Sequence, residues 1–180
     1  MLEIRLHGRG GQGAVTAAEI IAEANVVEGR YGQSFPLFGP ERRGAPVMAF
    51  ARLDDKPISI RGIIKNPDIV MVLDESLLHV VDVTSGLKLN GLAIVAGRDS
   101  NRIREKLNVK KIAVLDAQKI ALEIVGTPIT NTAIIGAFVK ATKAVKLETV
   151  EKLVLKKFIG KIGEKNVEII ERAYKETVVI

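Results

Sequence analysis

The chain contains no cysteine and no tryptophan, and only two of its 180 residues are histidines. Without cysteine it can form no disulfide, no thiolate nucleophile and no cysteine-ligated zinc ion or iron–sulfur cluster. His7 and His79 are too few for a histidine-rich metal site, and His7 is typical of a packed or capping residue rather than a catalyst. We therefore expect no catalytic and no metal-binding residues, and no cofactor bound by this chain alone.

Long apolar runs are also missing, and the chain starts directly in a strand pattern without a targeting segment, so we expect a cytoplasmic protein that does not contact membranes. The net charge of +6 comes mostly from C-terminal lysines that alternate with glutamates, which is typical of a solvated helix face. Aromatic residues for base stacking make up only 4% of the chain, so we expect no nucleic-acid partner. Abundant lysine, glutamate and isoleucine indicate a heat-loving source.

What the chain does contain is enough apolar sequence, 47% of residues, for one domain over residues 1–180. Strands are predicted at 2–7, 31–38, 47–53, 57–61, 68–74, 92–96 and 111–115. Helices are predicted at 12–28, 75–82, 99–107, 117–125, 133–144, 147–159 and 164–176. This alternation predicts a Rossmann-like, three-layer α/β/α fold with a mostly parallel sheet and C-terminal helices. Residues 47–53 and 57–61 are expected to add an antiparallel hairpin.

A glycine-rich segment joins the first strand to the first helix. Its six residues fit the pattern G-x-G-x-x-G and are Gly8, Arg9, Gly10, Gly11, Gln12 and Gly13. Glycines allow a sharp turn and a close approach of the backbone to a ligand or a neighbouring chain. The unpaired N–H groups at the start of the following helix favour an anion at the same place.

This motif lacks the partner that a dinucleotide site needs. An acid usually ends the second strand, but residues 31–38 contain none, and Glu28 lies at the end of the first helix. Arg9 also stands where a pyrophosphate would lie. Three interpretations therefore remain: a dinucleotide site, a tight turn used for packing, and a contact with a phosphate or another subunit.

A second loop carries two adjacent arginines between helix-breaking residues. Within residues 39–46 the candidate binding or interface residues are Glu41, Arg42, Arg43 and Gly44. Arginine suits a bidentate grip on phosphate or carboxylate, and the alternative is a surface ion pair with Glu41. Asp74 and Glu75 are expected to cap the next helix rather than form a catalytic pair. Because ligands bind beyond the carboxyl ends of parallel strands, these three segments should converge there.

Taken together, residues 3–13, 39–47 and 131–138 resemble the gamma subunit of 2-oxoacid:ferredoxin oxidoreductases, and the resemblance covers nearly the whole chain. Residues 42–46 most resemble the pyruvate enzyme, pyruvate synthase. A branched-chain 2-oxoacid enzyme that shares the same gamma subunit is an alternative. A stand-alone nucleotide-binding oxidoreductase and a purely structural subunit are further alternatives.

The resemblance implies an enzyme that converts a 2-oxoacid, coenzyme A and oxidised ferredoxin to acyl-CoA, CO2 and reduced ferredoxin, or the reverse. It also implies thiamine diphosphate and Mg on the alpha and beta subunits and iron–sulfur clusters on beta and delta. The resemblance implies as well that the gamma chain packs against these subunits and is inactive alone. We expect the glycine loop, Arg42 and Arg43 to face alpha or beta near the coenzyme A site. In isolation, the exposed interface could pair two copies into a homodimer.

Overall fold

The computed structural model describes residues 1–37 and 43–180. The strands are β1 (Leu2–Arg9), β2 (Tyr31–Pro36), β3 (Pro46–Asp54), β4 (Ile69–Val72), β5 (Leu92–Ala96), β6 (Lys111–Leu115) and β7 (Val178–Val179). The helices are α1 (Ala14–Val27), α2 (Ser100–Leu107), α3 (Ala117–Val125), α4 (Asn131–Thr142), α5 (Leu147–Lys157) and α6 (Lys161–Glu176). A 3₁₀ helix spans Glu75–His79, where the sequence predicts a longer helix ending at Asp82.

In the described part of the chain, seven strands form one sheet in the order β2-β3-β1-β4-β5-β6-β7. The four neighbouring strands β1, β4, β5 and β6 run parallel, with Leu6 opposite Met71 and Ile94 opposite Ala113. All four residues of β4 are buried, as expected for a parallel strand that is covered on both faces. The predicted α/β class, with a parallel sheet at its centre, is confirmed.

The predicted hairpin between residues 47–53 and 57–61 is wrong, because residues 57–61 form no strand. Instead β3 lies between β1 and β2 and pairs antiparallel with both, so that Phe50 is opposite Arg5 on one side and Phe35 on the other. Pro57 has no N–H to donate to a hydrogen bond between strands, whereas β3 can pair with β1 on one side and with β2 on the other. The antiparallel hairpin therefore consists of β2 and β3. The short strand β7, which the sequence did not predict, pairs antiparallel with β6.

Two cores of unequal size cover the faces of the sheet. Helices α1, α3, α4, α5 and α6 pack on the face that carries Leu6, Met71 and Ile94. The 3₁₀ helix and α2 cover the other face, where Val72 and Val95 lie. Successive residues of β4 enter different cores because side chains alternate along a strand. Each fully buried aliphatic side chain contributes about 1.5–3 kcal/mol to folding.

No helix within residues 1–37 and 43–180 has both the length and the apolar character needed to cross a bilayer.

Candidate functional site

The glycine-rich segment lies at the carboxyl end of β1, beside the carboxyl end of β4. Its first two residues are part of β1, where Gly8 pairs with Val47 and Arg9 pairs with Pro46. Helix α1 therefore begins at Ala14, two residues later than predicted. The turn itself is Gly10 to Gly13, and Gly11 and Gly13 adopt positive φ angles of 92° and 79°. Residues with a Cβ rarely adopt this conformation, so the two glycines are needed for the turn.

The loop before β3 is fastened to this turn. The Gly10 N–H donates to the Ala45 carbonyl at 2.8 Å, and the Gly44 N–H donates to the Gly10 carbonyl at 3.2 Å. The Arg9 guanidinium adds a third bond, from Nη1 to the Gly44 carbonyl at 3.0 Å. The predicted convergence of the two loops is confirmed for the residues that the structure describes.

Arg9 also reaches the carboxyl end of β4. Its Nη2 donates to Ser76 Oγ at 2.8 Å, and its Nε lies 3.3 Å from Asp74 Oδ2. About 28% of the Arg9 side chain remains exposed. The guanidinium is thus held in one orientation while part of it stays open to a ligand or another chain. The sequence does not indicate that Ser76 belongs to the site, beyond its position two residues after the capping aspartate Asp74.

Gln12 joins the glycine turn to Asp74 through both ends of its amide. Its Oε1 accepts the Arg9 N–H at 2.7 Å, and its Nε2 donates to Asp74 Oδ2 at 2.9 Å. Asp74 Oδ1 accepts the Ser76 N–H at 2.9 Å, so this aspartate caps the 3₁₀ helix as predicted. The sequence singled out Gln12 only as a member of the glycine motif. Its function as a bridge depends on its contact with Asp74, which lies 62 residues further along the chain.

Asp74 is an ionised carboxylate rather than a proton donor. Partial burial by itself raises its pKa. Hydrogen bonds from Ser76 and Gln12, together with the positive charge of Arg9, outweigh that effect, so the pKa of Asp74 lies below its usual value. A carboxylate that accepts these bonds and has a low pKa is suited to hold Arg9 in place, and it is unsuited to general acid catalysis at neutral pH.

Gly13 also meets the start of α4. A Cβ at this position would lie 2.5 Å from Nδ2 of Asn131, whereas a Cβ at Gly11 would meet nothing within 4 Å. Gly13 is therefore required for packing as well as for its backbone angle. The space beside Gly11 is open, so the backbone there can be approached from outside.

Of the second loop, Glu41 and Arg42 lie outside the described residues. Arg43 and Gly44 are exposed next to the glycine turn, and Gly44 has a φ of 82°. The Arg43 side chain makes no hydrogen bond or ion pair with residues 1–37 or 43–180. Arg9, the last residue of β1, and Arg43, on the loop before β3, therefore lie at the same end of the sheet.

His7 belongs to the interior, as its sequence position suggested. It is 4% exposed, and its Nε2 accepts a hydrogen bond from Arg5 Nε at 3.0 Å. Burial, followed by the charge of Arg5, lowers the pKa of His7 to about 4. Arg5 in turn donates to the carbonyls of Val83 and Ser85. His7 is thus a neutral acceptor inside a structural network, and it lies on the strand that leads into the glycine turn.

No group of histidine, aspartate and glutamate side chains in the described part of the chain could hold a metal ion. The fold and the site define a class of protein: a Rossmann-like α/β domain with a glycine-rich turn and an exposed, arginine-bearing edge suited to binding or assembly. The chain belongs to the pyruvate ferredoxin/flavodoxin oxidoreductase family, whose family model matches residues 3–176. The resemblance drawn from residues 3–13, 39–47 and 131–138 is thereby confirmed.

Individual relatives agree with this assignment. The chain is 58% identical to a common gamma subunit of pyruvate/ketoisovalerate oxidoreductases from Thermococcus kodakarensis, over 99% of this chain and 98% of the relative. It is 51% identical to a pyruvate synthase subunit PorC from Methanothermobacter thermautotrophicus, over 98% and 96% of the two chains. The crystal structure of a pyruvate oxidoreductase subunit PORC from Thermotoga maritima has a TM-score of 0.89 and 38% identity, covering 99% and 97%. These sources fit the expectation of a heat-loving organism.

Proposed function

We propose that this chain is the gamma subunit of a 2-oxoacid:ferredoxin oxidoreductase that acts on pyruvate, and that its 180 residues make up one domain. The observation that carries the proposal is the identity of 50–58% to subunits with these names, over nearly the whole length of both chains. The complex converts pyruvate, coenzyme A and oxidised ferredoxin to acetyl-CoA, CO2 and reduced ferredoxin, or runs in reverse.

In this proposal the partners are the alpha, beta and delta subunits, and ferredoxin docks on the complex. Thiamine diphosphate and Mg belong to alpha and beta, and the iron–sulfur clusters belong to beta and delta. A cysteine-ligated cluster does not fit this chain, because it contains no cysteine. Thiamine diphosphate supplies the carbanion chemistry of decarboxylation in the other subunits. This chain contributes binding and orientation.

The glycine turn and Arg43 form the part of the chain that borders the coenzyme A site or a neighbouring subunit. The support is electrostatic: Arg9 is fixed by Asp74 and Ser76 with part of its guanidinium exposed, and Arg43 is exposed on the adjoining loop. Guanidinium groups bind phosphate oxygens with two parallel hydrogen bonds. Open backbone beside Gly11 allows a close approach of the same anion.

The experiment replaces Arg43 with alanine in the assembled complex. We expect the KM for coenzyme A to rise severalfold, or recovery of the alpha and beta subunits with the tagged chain to fall, because a charged donor to the anion or interface is lost. Arg61→Ala is the matched control. Arg61 is also exposed, but it lies in the loop between β3 and β4, at the end of the sheet where β1 and β4 begin. If Arg43→Ala changes neither quantity, the assigned position of this loop is wrong.

A second candidate function is that of a gamma subunit shared by two oxidoreductases. The Thermococcus kodakarensis relative is described as a subunit common to pyruvate and ketoisovalerate oxidoreductases. On this alternative, one gamma chain serves two sets of larger subunits. An anaerobic pull-down from native cells, followed by mass spectrometry, separates the two cases. Two sets of partners, with dye reduction supported by both pyruvate and ketoisovalerate, favour the shared subunit, and one set favours a pyruvate enzyme.

The stand-alone dinucleotide enzyme has less support. In a dinucleotide-binding unit, the acid that holds the ribose ends the second parallel strand. Here β2 is an antiparallel edge strand without an acid, and Arg9 fills the turn with hydrogen bonds to Gly44 and Ser76. Tight binding of NAD(H), NADP(H) or FAD to the purified chain would favour this alternative.

A further inference from the structure

The turn between α5 and α6 exposes several apolar side chains at one place. Leu155 is 46% exposed, Ile159 is 87% exposed and Ile162 is 64% exposed. They lie close together, because a Cβ at Gly163, next to Ile162, would be 3.5 Å from Cα of Leu155. Single exposed apolar residues are common on protein surfaces, whereas a cluster of them is typical of a surface that another molecule covers. We call Leu155, Ile159 and Ile162 the apolar corner.

Exposed lysines flank the apolar corner on both helices. On each helix, one lysine adjoins a corner residue in the chain and another lies three residues from it on the same helix face; together they are Lys152, Lys156, Lys161 and Lys165. In the part of the chain that the structure describes, no carboxylate forms an ion pair with any of these four lysines. Lys157 shows the contrast, because its Nζ lies 2.8 Å from a carboxylate oxygen of Glu19.

The acids of these two helices are grouped away from the lysines. Burial raises the pKa of Glu151, and the negative charges of Glu171 and Glu148 raise it further, so these three carboxylates are neighbours. The alternation of lysine and glutamate in the sequence predicts a mixed, solvated face. The structure instead separates the two signs of charge, and the apolar corner lies on the positive side.

Helix α6 begins beside the apolar corner without a side-chain cap. Its N-cap is Gly160, which has no side chain to accept an N–H of the first turn. The space there is open, since a Cβ at Gly160 would meet nothing within 4 Å. A carboxylate from another molecule can therefore approach the first N–H groups of α6 and the ammonium group of Lys161 together.

The apolar corner lies at the same end of the molecule as the glycine turn. Gly13 lies against Asn131 at the start of α4. Thr132 Oγ1 donates to Asn166 Oδ1 at 3.0 Å, and Asn166 Nδ2 donates to the Ile162 carbonyl at 2.8 Å. A molecule that covers the glycine turn can therefore continue across the start of α4 onto the corner.

We propose that the apolar corner binds an acidic segment of one of the larger subunits, an inference that rests on the proposed function. In this segment, apolar side chains cover Leu155, Ile159 and Ile162, and flanking aspartates or glutamates pair with the four lysines. The buried apolar area supplies affinity, and the charges select and orient the partner. A second copy of this chain fits less well, because a two-fold contact places the same four lysines against each other.

The first test measures how fast each lysine is acetylated by acetic anhydride in the isolated chain and in the assembled complex. We expect the four corner lysines to react severalfold more slowly in the complex, because ion pairing keeps an amine protonated and unreactive. Lys65 and Lys110 are internal controls that should react alike in both forms. Both are exposed near the starts of β4 and β6, at the opposite end of the parallel strands. A carbodiimide, which condenses an amine with a touching carboxylate, should link the corner lysines to a larger subunit.

The second test replaces Ile159 with aspartate in the tagged chain. Because Ile159 is almost fully exposed, Ile159→Asp should leave the unfolding midpoint of the isolated chain unchanged. Recovery of the larger subunits should fall about tenfold, since the variant removes a central apolar contact and adds a charge that repels the acidic segment. Leu89→Asp is the matched control, because Leu89 is 80% exposed in the turn before β5. It should recover the larger subunits as wild type does.

The outcomes separate this proposal from the proposed function. If wild type recovers the larger subunits but the corner lysines stay unprotected, or Ile159→Asp recovers them equally well, only the assignment of the corner is wrong. If wild type recovers no larger subunit, both proposals fail. Dimerisation of the isolated chain, or its sedimentation with phosphatidylglycerol vesicles, assigns the corner to a second copy or a lipid surface if Ile159→Asp abolishes it. Either result also overturns the proposal.

Discussion

Asp74→Asn tests whether the carboxylate of Asp74 holds the candidate site together. The substitution keeps the size of the side chain and leaves one oxygen to accept the Ser76 N–H. The new amide nitrogen takes the place of Oδ2, where it faces two donors, Gln12 Nε2 and Arg9 Nε. Rotating the Gln12 amide does not help, because its oxygen would then no longer accept the Arg9 N–H. At least one hydrogen bond to a charged group is lost in either arrangement.

A hydrogen bond to a charged group contributes about 1.5–3 kcal/mol. The Asp74 side chain is 15% exposed and that of Arg9 is 28% exposed, so solvent screens the ion pair between them, and we expect a loss of about 1.5–2 kcal/mol. The measurement is unfolding in guanidinium chloride near pH 7, followed by circular dichroism. Asp55→Asn is the control, since Asp55 is exposed in the turn after β3.

The pH dependence separates a charge effect from a packing effect. The pKa of Asp74 in the folded chain lies below its ordinary value of 3.8. Its stabilising contribution is therefore complete above pH 3.8 and is lost as the pH falls through the lower folded-state value. The difference between wild type and Asp74→Asn should be equal at about pH 7 and about pH 5, and it should shrink as the pH falls below 3.8. No loss at neutral pH, or a difference that persists unchanged in acid, refutes the reasoning.

Three further results are expected. Gly13→Ala should destabilise the chain by about 2–3 kcal/mol, because it adds a collision with Asn131 to an unfavourable backbone angle. Gly11→Ala has only the unfavourable angle and should cost only about 1 kcal/mol. Denaturant unfolding of both variants checks this order. Gly136→Val should cost about 2–4 kcal/mol in the same assay, since a Cβ there collides with the α6 backbone. The pKa of His7 is 6.5 in the unfolded chain and about 4 in the folded chain, because the ring must stay neutral to remain buried. Lowering the pH through this range should therefore destabilise wild type by roughly 2–3 kcal/mol more than His7→Gln. Parallel curves for the two proteins between about pH 7 and pH 4 would contradict the last prediction.

Several features could be predicted because their signals are local. Strands β5 and β6 match the predicted 92–96 and 111–115, since a buried parallel strand is a continuous apolar run bounded by polar or glycine residues. The cap at Asp74 was also predicted, because a capping side chain bonds to a backbone N–H two or three residues away. The glycine loop, the arginine loop and residues 131–138 together were sufficient to indicate the family.

Other features depend on which segments meet after folding. Residues 57–61 form no strand, because β3 finds partners in β1 and β2. The two residues of β7 are too few to show periodicity and exist as a strand only because β6 offers an edge. The sequence did not indicate where α6 begins either: it starts at Lys161 rather than at residue 164.

The same division applies to the site. From its sequence alone, this protein is an α/β chain without cysteine whose glycine and arginine loops lie beyond strand ends. Only the tertiary structure joins Gln12 and Arg9 to Asp74 and buries His7 against Arg5. The physical reason is range: helix caps and strand patterns arise from neighbours in the chain, whereas ladder partners, side-chain bridges and clefts arise between residues that are distant in sequence.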